Sequence, residues 1–222
     1  PFENRELKWK VRECHLRRKM KQFISPDIYD QILTNPSLLE TRLSYVTILF
    51  ADIRGFTSLT SANPPEFVAS LLNTNYFVPM SDLVMKHGGI VDKYIGDSVM
   101  ALFGAPVVQP GHEEQAVTCA IEMVDLISRT DKGFQIGVGI SSGQVVTGLF
   151  GSPSKKEFTA LGTAVNIAAR LEKLARRGEV LLSESTASEI DGHHPFTGSG
   201  SILLTPSSAP VTFYRWSRND TN

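Results

Sequence analysis

The run YVTILFA, residues 45–51, constrains this chain more than any other stretch of it. It is short, apolar and rich in β-branched and aromatic side chains, and it stops on Asp52, three residues before Gly55. That composition predicts a buried strand ending in a carboxylate beside a glycine turn. From Ser44 onward, strand-like and helix-like stretches alternate. NPPEFVASLLNTNYF has helical periodicity, with Asn63 as candidate N-cap and prolines in the first turn; Pro79 is expected to break or kink it before Gly88 and Gly89 end the next helix. GIVDKYIGDSVMALFGAP predicts a hairpin with Asp97 at its tip, and HEEQAVTCAIEMVDLIS an amphipathic helix. FQIGVGISSGQVVTGLFG is expected to form a second hairpin, followed by the helix TAVNIAARLEKLARR, the strand EVLLS and the tail VTFYRW. The order strand, helix, hairpin, helix, strand, with an extra helix and strands, predicts an α+β fold: a ferredoxin-like βαββαβ sandwich.

Composition narrows the function classes. At 222 residues the chain fits one domain with a short appendage. A formal net charge of -1 excludes binding to nucleic acid through a broad basic face, because that binding depends on phosphate neutralisation. Cys14 and Cys119 lie far apart without CxxC spacing, which points away from disulfides and zinc and toward a reducing cytoplasm. There is no signal-peptide pattern and no apolar run of the ~20 residues that a membrane-spanning helix needs. The chain opens without methionine, so a longer parent protein is expected, one that could be attached to a membrane elsewhere. Residues 1–43 are assigned to an N-terminal helix and linker, 44–217 to the folded domain and 218–222 to a tail. Leu7, Val11, His15 or Leu16, and Met20 form a narrow stripe that suits either a helix-pairing seam or a plain solvated helix.

Four places in the sequence can carry chemistry. Asp52 at a strand end, followed by Gly55, Phe56 and Thr57 at a helix start, suits a hard cation with backbone N–H groups facing phosphate oxygens; capping of the turn is the alternative. Asp97 has the conformational reading of any turn aspartate, but in the predicted fold its hairpin neighbours the strand of Asp52. Two converging carboxylates with substrate phosphates are the usual protein contribution to a magnesium site. Asn166 and Arg170 share a helix face among small apolar neighbours, where the arginine requires an anion, either a structural glutamate or a phosphate. Lys93, on the strand before the turn, reads by itself as a solvated edge residue. The histidines His87, His112, His193 and His194 have no spacing that compels a role.

TILFADIRGFT, GGIVDKYIGDSVMALFGAP, GVGISSGQVVTGLFG and EFTALGTAVNIAARLE, in that order, closely resemble the class III nucleotidyl cyclases over about Ser44 to Trp216. The resemblance implies a catalytic domain over 44–217 that works as a homodimer on ATP, under an upstream sensor or regulatory domain. It implies two divalent cations, Mg²⁺ or Mn²⁺, held by Asp52, Asp97 and the carbonyl of Ile53. It implies that Asn166 and Arg170 of the partner subunit reach the ribose and the phosphates, and that Gly55, Phe56 and Thr57 line the phosphate loop. Base choice in the family falls on two positions, taken here to be Lys93 and Thr163, which implies adenine. Thr163 departs from the commoner aspartate, and Thr205 stands where many relatives have a triphosphate-binding lysine. A guanylyl cyclase, or a degenerate domain that binds nucleotide without turnover, are the alternative implications.

Overall fold

The computed structural model describes residues 26–130, 133–152, 155–190 and 194–217. The predicted N-terminal helix and tail, and His193, lie outside the described residues.

Strand β1 (Arg42–Arg54) runs through the middle of the sheet, hydrogen-bonded on one side to β3 (Ser98–Phe103) and on the other to β4 (Gln135–Ser152). Its apolar run does not alternate because both faces are covered. Leu49, Ala51 and Ile53 pack against Met80, Val84, Ala120, Met123 and Ile127, whereas Val46, Ile48 and Phe50 pack against Ile28, Tyr29, Ile32, Ala164 and Ala168. Full burial of an isoleucine, leucine or phenylalanine contributes about 1.5–3 kcal/mol, so this strand alone anchors two core layers.

The helices that supply those layers are α1 (Pro26–Thr34), the run α2 (Phe56–Ala62), α3 (Pro65–Leu72) and α4 (Val78–Lys86), then α5 (His112–Arg129), α6 (Thr163–Leu174) and the single turn α7 (Glu184–Ala187). The remaining strands are β2 (Ile90–Ile95), β5 (Lys155–Leu161), β6 (Glu179–Ser183), β7 (Ser199–Ile202) and β8 (Val211–Ser217). Among the described residues the eight strands form one sheet in the order β2-β3-β1-β4-β6-β8-β7, with β5 paired to the far end of β4. The segment β2-β3-β1-β4 is antiparallel throughout, the strand order of a ferredoxin-like βαββαβ core, as expected; β6, β8 and β7 extend it. No helix among the described residues is long and apolar enough to cross a membrane.

Three local expectations change. The second hairpin is one strand: β4 runs unbroken for 18 residues because β1 pairs with it from Gln135 to Thr147, Arg54 opposite Gln135 to Arg42 opposite Thr147, and β5 pairs with it from Val146 to Ser152. Gly143, inside that stretch, is not among the positive-φ glycines; a Cβ there would lie 3.2 Å from that of Ala164, so its small size admits α6. Asn63 closes α2 instead of opening α3, its Nδ2 donating to the carbonyl of Leu59 at 2.9 Å, and Pro64 takes the N-cap. Pro79 breaks nothing, because a π-helical turn over Asn73–Phe77 precedes it and Pro79 falls in the first turn of α4, where a missing N–H is tolerated.

Candidate active site

Register brings the two aspartates together. Ala51 of β1 lies opposite Val99 of β3, so the next step along β1, Asp52, falls beside the turn of Gly96 and Asp97 that joins β2 to β3. Burial, then the negative charges of Glu172 and Asp97, push Asp52 up to about 7 against the lowering effect of Arg54. Asp97 Oδ2 is buried without a hydrogen-bond partner. Three carboxyls, Asp52, Asp97 and Glu172, gather around the Arg54 guanidinium with one carboxylate oxygen orphaned, and a hard divalent cation supplies the positive charge that balances them. The residues therefore fit such an ion. Ile53 has its side chain in the core, so only its main chain is available to the site. Among the described residues no group of three or more His, Cys, Asp or Glu side chains is placed to hold a metal ion.

Around this pair the chain is fixed at several points. Tyr76, fully buried, donates to the carbonyl of Ala51 at 2.8 Å and so pins the end of β1. Arg54 sits 3.5 Å from Asp52 Oδ2, is ion-paired with Glu172 of α6 and donates to the Glu172 carbonyl at 2.6 Å. Gly137 makes room for it, since a Cβ there would fall 2.4 Å from Arg54 Nε. Gly55 caps α2 in the left-handed conformation, φ 82°, and the guanidinium of Arg177 lies against it, with Nη2 3.2 Å from where a Cβ would stand. Phe56 is partly buried against the core, and Thr57 is exposed with its carbonyl accepting from Thr60 and Ser61.

Helix α6 turns Asn166 and Arg170 away from the sheet. Ala164, Ala168, Leu171 and Glu172 are its buried face, while Asn166 and Arg170, two positions off Ala168 and Glu172, are exposed. Within one chain these two side chains point away from the sheet that carries Asp52.

The family profile for the adenylate and guanylate cyclase catalytic domain matches residues 39–214. The chain belongs to that cyclase family. An uncharacterized protein of Mycobacterium tuberculosis is 38% identical over 141 residues, which cover 63% of this chain and 26% of that protein. The chain thus spans about a quarter of the length of the curated relatives it matches. Among solved structures, the adenylyl cyclase CyaB from P. aeruginosa is 36% identical with a TM-score of 0.74, covering 82% of this chain and 99% of that one. The guanylyl cyclase Cya2 is 30% identical with a TM-score of 0.71, covering 79% and 92%. Class III cyclase domains generally use divalent metal ions, in keeping with the fit of the acidic pair.

The two residues expected to choose the base lie on different elements of this cyclase domain. Lys93 is partly exposed on β2, its Nζ 3.5 Å from Asp92 Oδ1 and 3.9 Å from Glu157 Oε2. Thr163 opens α6 and is exposed. The threonine brought to this place is Thr159 of β5, whose hydroxyl donates to Asp92 Oδ2 at 2.5 Å. The reason is that Phe158 and Ala160 of β5 pack into the α1/α6 core layer, with Ala160 beside Ile90 and Met100 in one cluster, which lays β5 across toward β2. Sequence reading missed Asp92, Thr159, Arg54, Glu172 and Arg177. Arg54 alone carried a signal, as a charge inside the ADIRGFT motif; the others meet only through folding. Thr205 is exposed in a turn, its N–H donating to Ser208 Oγ at 3.1 Å. The described histidines are structural: His194 pairs with Glu114 at 2.8 Å, His87 with Glu122 at 3.1 Å, and His112 bonds Thr47 at 2.9 Å.

Proposed function

We propose that this domain is an adenylyl cyclase that converts ATP to 3′,5′-cyclic AMP and pyrophosphate as a homodimer. The observation that carries the reading is the acidic pair Asp52 and Asp97, brought together by register with one carboxylate oxygen orphaned. Two divalent cations, Mg²⁺ or Mn²⁺, held by Asp52, Asp97 and the Ile53 carbonyl would supply Lewis-acid stabilisation of the 3′-oxygen and of the leaving phosphates.

The chain's own residues do the rest. Asp52 and Asp97 of one subunit meet Asn166 and Arg170 of a second copy, which is why those two side chains are exposed and turned from the sheet of their own chain. Asn166 orients the ribose, and Arg170 neutralises charge that develops as the O3′–Pα bond forms, the 3′-hydroxyl proton passes to water and the bond from Pα to the β-phosphate oxygen breaks. Gly55, Phe56 and Thr57 offer backbone N–H groups to the phosphates, with the Arg177 guanidinium beside them. Lys93 selects adenine through N1, and Thr159, rather than Thr163, is the hydroxyl partner, because it shares Asp92 with Lys93. ATP as substrate places the domain in the cytoplasm, and a sensor elsewhere in the parent protein governs how the two copies meet.

The test is direct. The purified domain is incubated with Mn²⁺ or Mg²⁺ and either ATP or GTP, with Asp52→Ala alongside, and products are quantified by mass spectrometry. Cyclic AMP from the wild type alone is expected; cyclic GMP as main product, or no product at high protein concentration, overturns the reading.

A further inference from the structure

Strand β2 is irregular at one residue. Val91 lies opposite Ala101 and Lys93 opposite Met100, so Asp92 is an extra residue in a β-bulge. Neighbouring strand residues normally point to opposite faces, but a bulge re-aims one of them, and here the Asp92 carboxylate and the Lys93 ammonium end 3.5 Å apart. The Asp92 side chain is fully buried. Its Oδ2 accepts a hydrogen bond from the Thr159 hydroxyl, and its Oδ1 has no hydrogen bond and faces Lys93.

A hydroxyl has one proton and two lone pairs, whereas an ionised carboxylate only accepts. We infer that Asp92 is a specificity-determining positioning residue, which commits the Thr159 proton inward so that only oxygen lone pairs face the nucleotide base. The inference rests on the reading of Lys93 as a base-facing residue.

Lys93 and Thr159 then form a fixed pair, one purely a donor and the other purely an acceptor. Adenine presents the complement, an acceptor at N1 beside a donor amino group at C6. Guanine presents the reverse, a protonated N1 beside an acceptor O6, so both positions clash in polarity. A threonine without Asp92 could turn its proton toward O6 and serve either base. The carboxylate removes that freedom without touching the nucleotide.

The test compares binding of nonhydrolysable analogues of ATP, GTP and purine riboside triphosphate, which lacks the 6-amino group, by calorimetry with Mn²⁺ on wild type, Asp92→Asn, Asp92→Ala and Thr159→Val; tripolyphosphate serves as a base-free control. The wild type is expected to bind the ATP analogue at least about tenfold tighter than either other nucleotide. Both Asp92 variants should shrink the ATP-to-GTP ratio about tenfold or more and leave tripolyphosphate binding unchanged, and Thr159→Val should bind the ATP and purine riboside analogues alike. A purely structural role would weaken both purines equally and leave the ratio where it was, which overturns the assignment. Equal binding of the ATP and purine riboside analogues by the wild type overturns it as well, even if the Asp92 variants fail to fold. A wild type that prefers the GTP analogue or binds no nucleotide removes the adenine reading itself, and this inference with it.

Discussion

Arg54 of β1 is ion-paired with Glu172 of α6, which ties the strand bearing Asp52 to the helix bearing Asn166 and Arg170. Both partners are largely buried, with side-chain exposures of 18% and 7%. Buried pairs of this kind contribute little beyond a hydrophobic replacement, but breaking one strands a charge.

Arg54→Ala should therefore destabilise the domain by about 3 kcal/mol at pH 8, and the double variant Arg54→Ala/Glu172→Gln by clearly less. Burial already pushes the Glu172 carboxyl up. A carboxyl raised in the folded state binds its proton more tightly there than in the unfolded chain, so the loss in Arg54→Ala shrinks as pH falls toward 5. Urea unfolding of the wild type and the two variants at pH 8 and 5 checks this; equal losses in the single and double variants contradict it.

The acidic pair makes a second forecast. Asp52 stands at about 7 in the folded state, above the ordinary aspartate value, so its ionisation opposes folding and metal-free stability declines as pH rises through that window. Asp52→Asn should raise the metal-free melting temperature slightly, abolish the rise caused by Mn²⁺, and lower cyclase activity at least about a hundredfold. In the wild type the Mn²⁺-induced rise should be larger at pH 8 than at pH 6, because protons compete for the same oxygens. Differential scanning fluorimetry in chelator and in Mn²⁺ measures the melting temperatures, and quantification of cyclic nucleotide by mass spectrometry measures the activity.

His112 offers a stability switch away from the site. Burial lowers its pKa from the ordinary histidine value, with Glu113 and Glu189 pulling the other way, and its Nδ1 lies 2.9 Å from the hydroxyl of buried Thr47. The unfolded chain takes up the proton first, so stability contributed by neutral His112 is full above about pH 7 and is lost as pH falls through ~6.5. A His112→Gln variant should flatten the stability difference between pH 7.5 and 5.5; an unchanged slope in chemical denaturation rejects this role.

Gly139 of β4 lets helix and sheet touch. An added Cβ would stand 2.1 Å from Glu172 N and 2.3 Å from the Ala168 carbonyl oxygen, both backbone atoms that cannot turn aside. Gly139→Ala should cost about 3 kcal/mol or more and lower activity by shifting α6, seen as a lower denaturation midpoint and a raised KM for ATP. Ala substituted at Gly96, where a Cβ meets nothing within 4 Å, removes only the left-handed turn preference and should be milder.

Legibility in the sequence followed how local the cause was. The buried run of β1, the hairpin carrying Asp97 and the amphipathic α5 rest on residues near one another in the chain, and all three form where expected. The second hairpin did not form, because a glycine placed for close packing, as Gly143 is against Ala164, and a glycine placed for a turn look alike in sequence.

By itself, then, the sequence determined the α+β alternation, the family, and the two carboxylates at a strand end and a hairpin tip, because hydrophobic period and turn chemistry act within a few residues. Tertiary structure alone decided that β4 is one long strand, that Arg54 meets Glu172 across 118 positions, and that Thr159 instead of Thr163 shares Asp92 with Lys93. Those outcomes depend on register, a bulge and the path of β5, which are set by the packing of distant faces and leave no local mark in the chain.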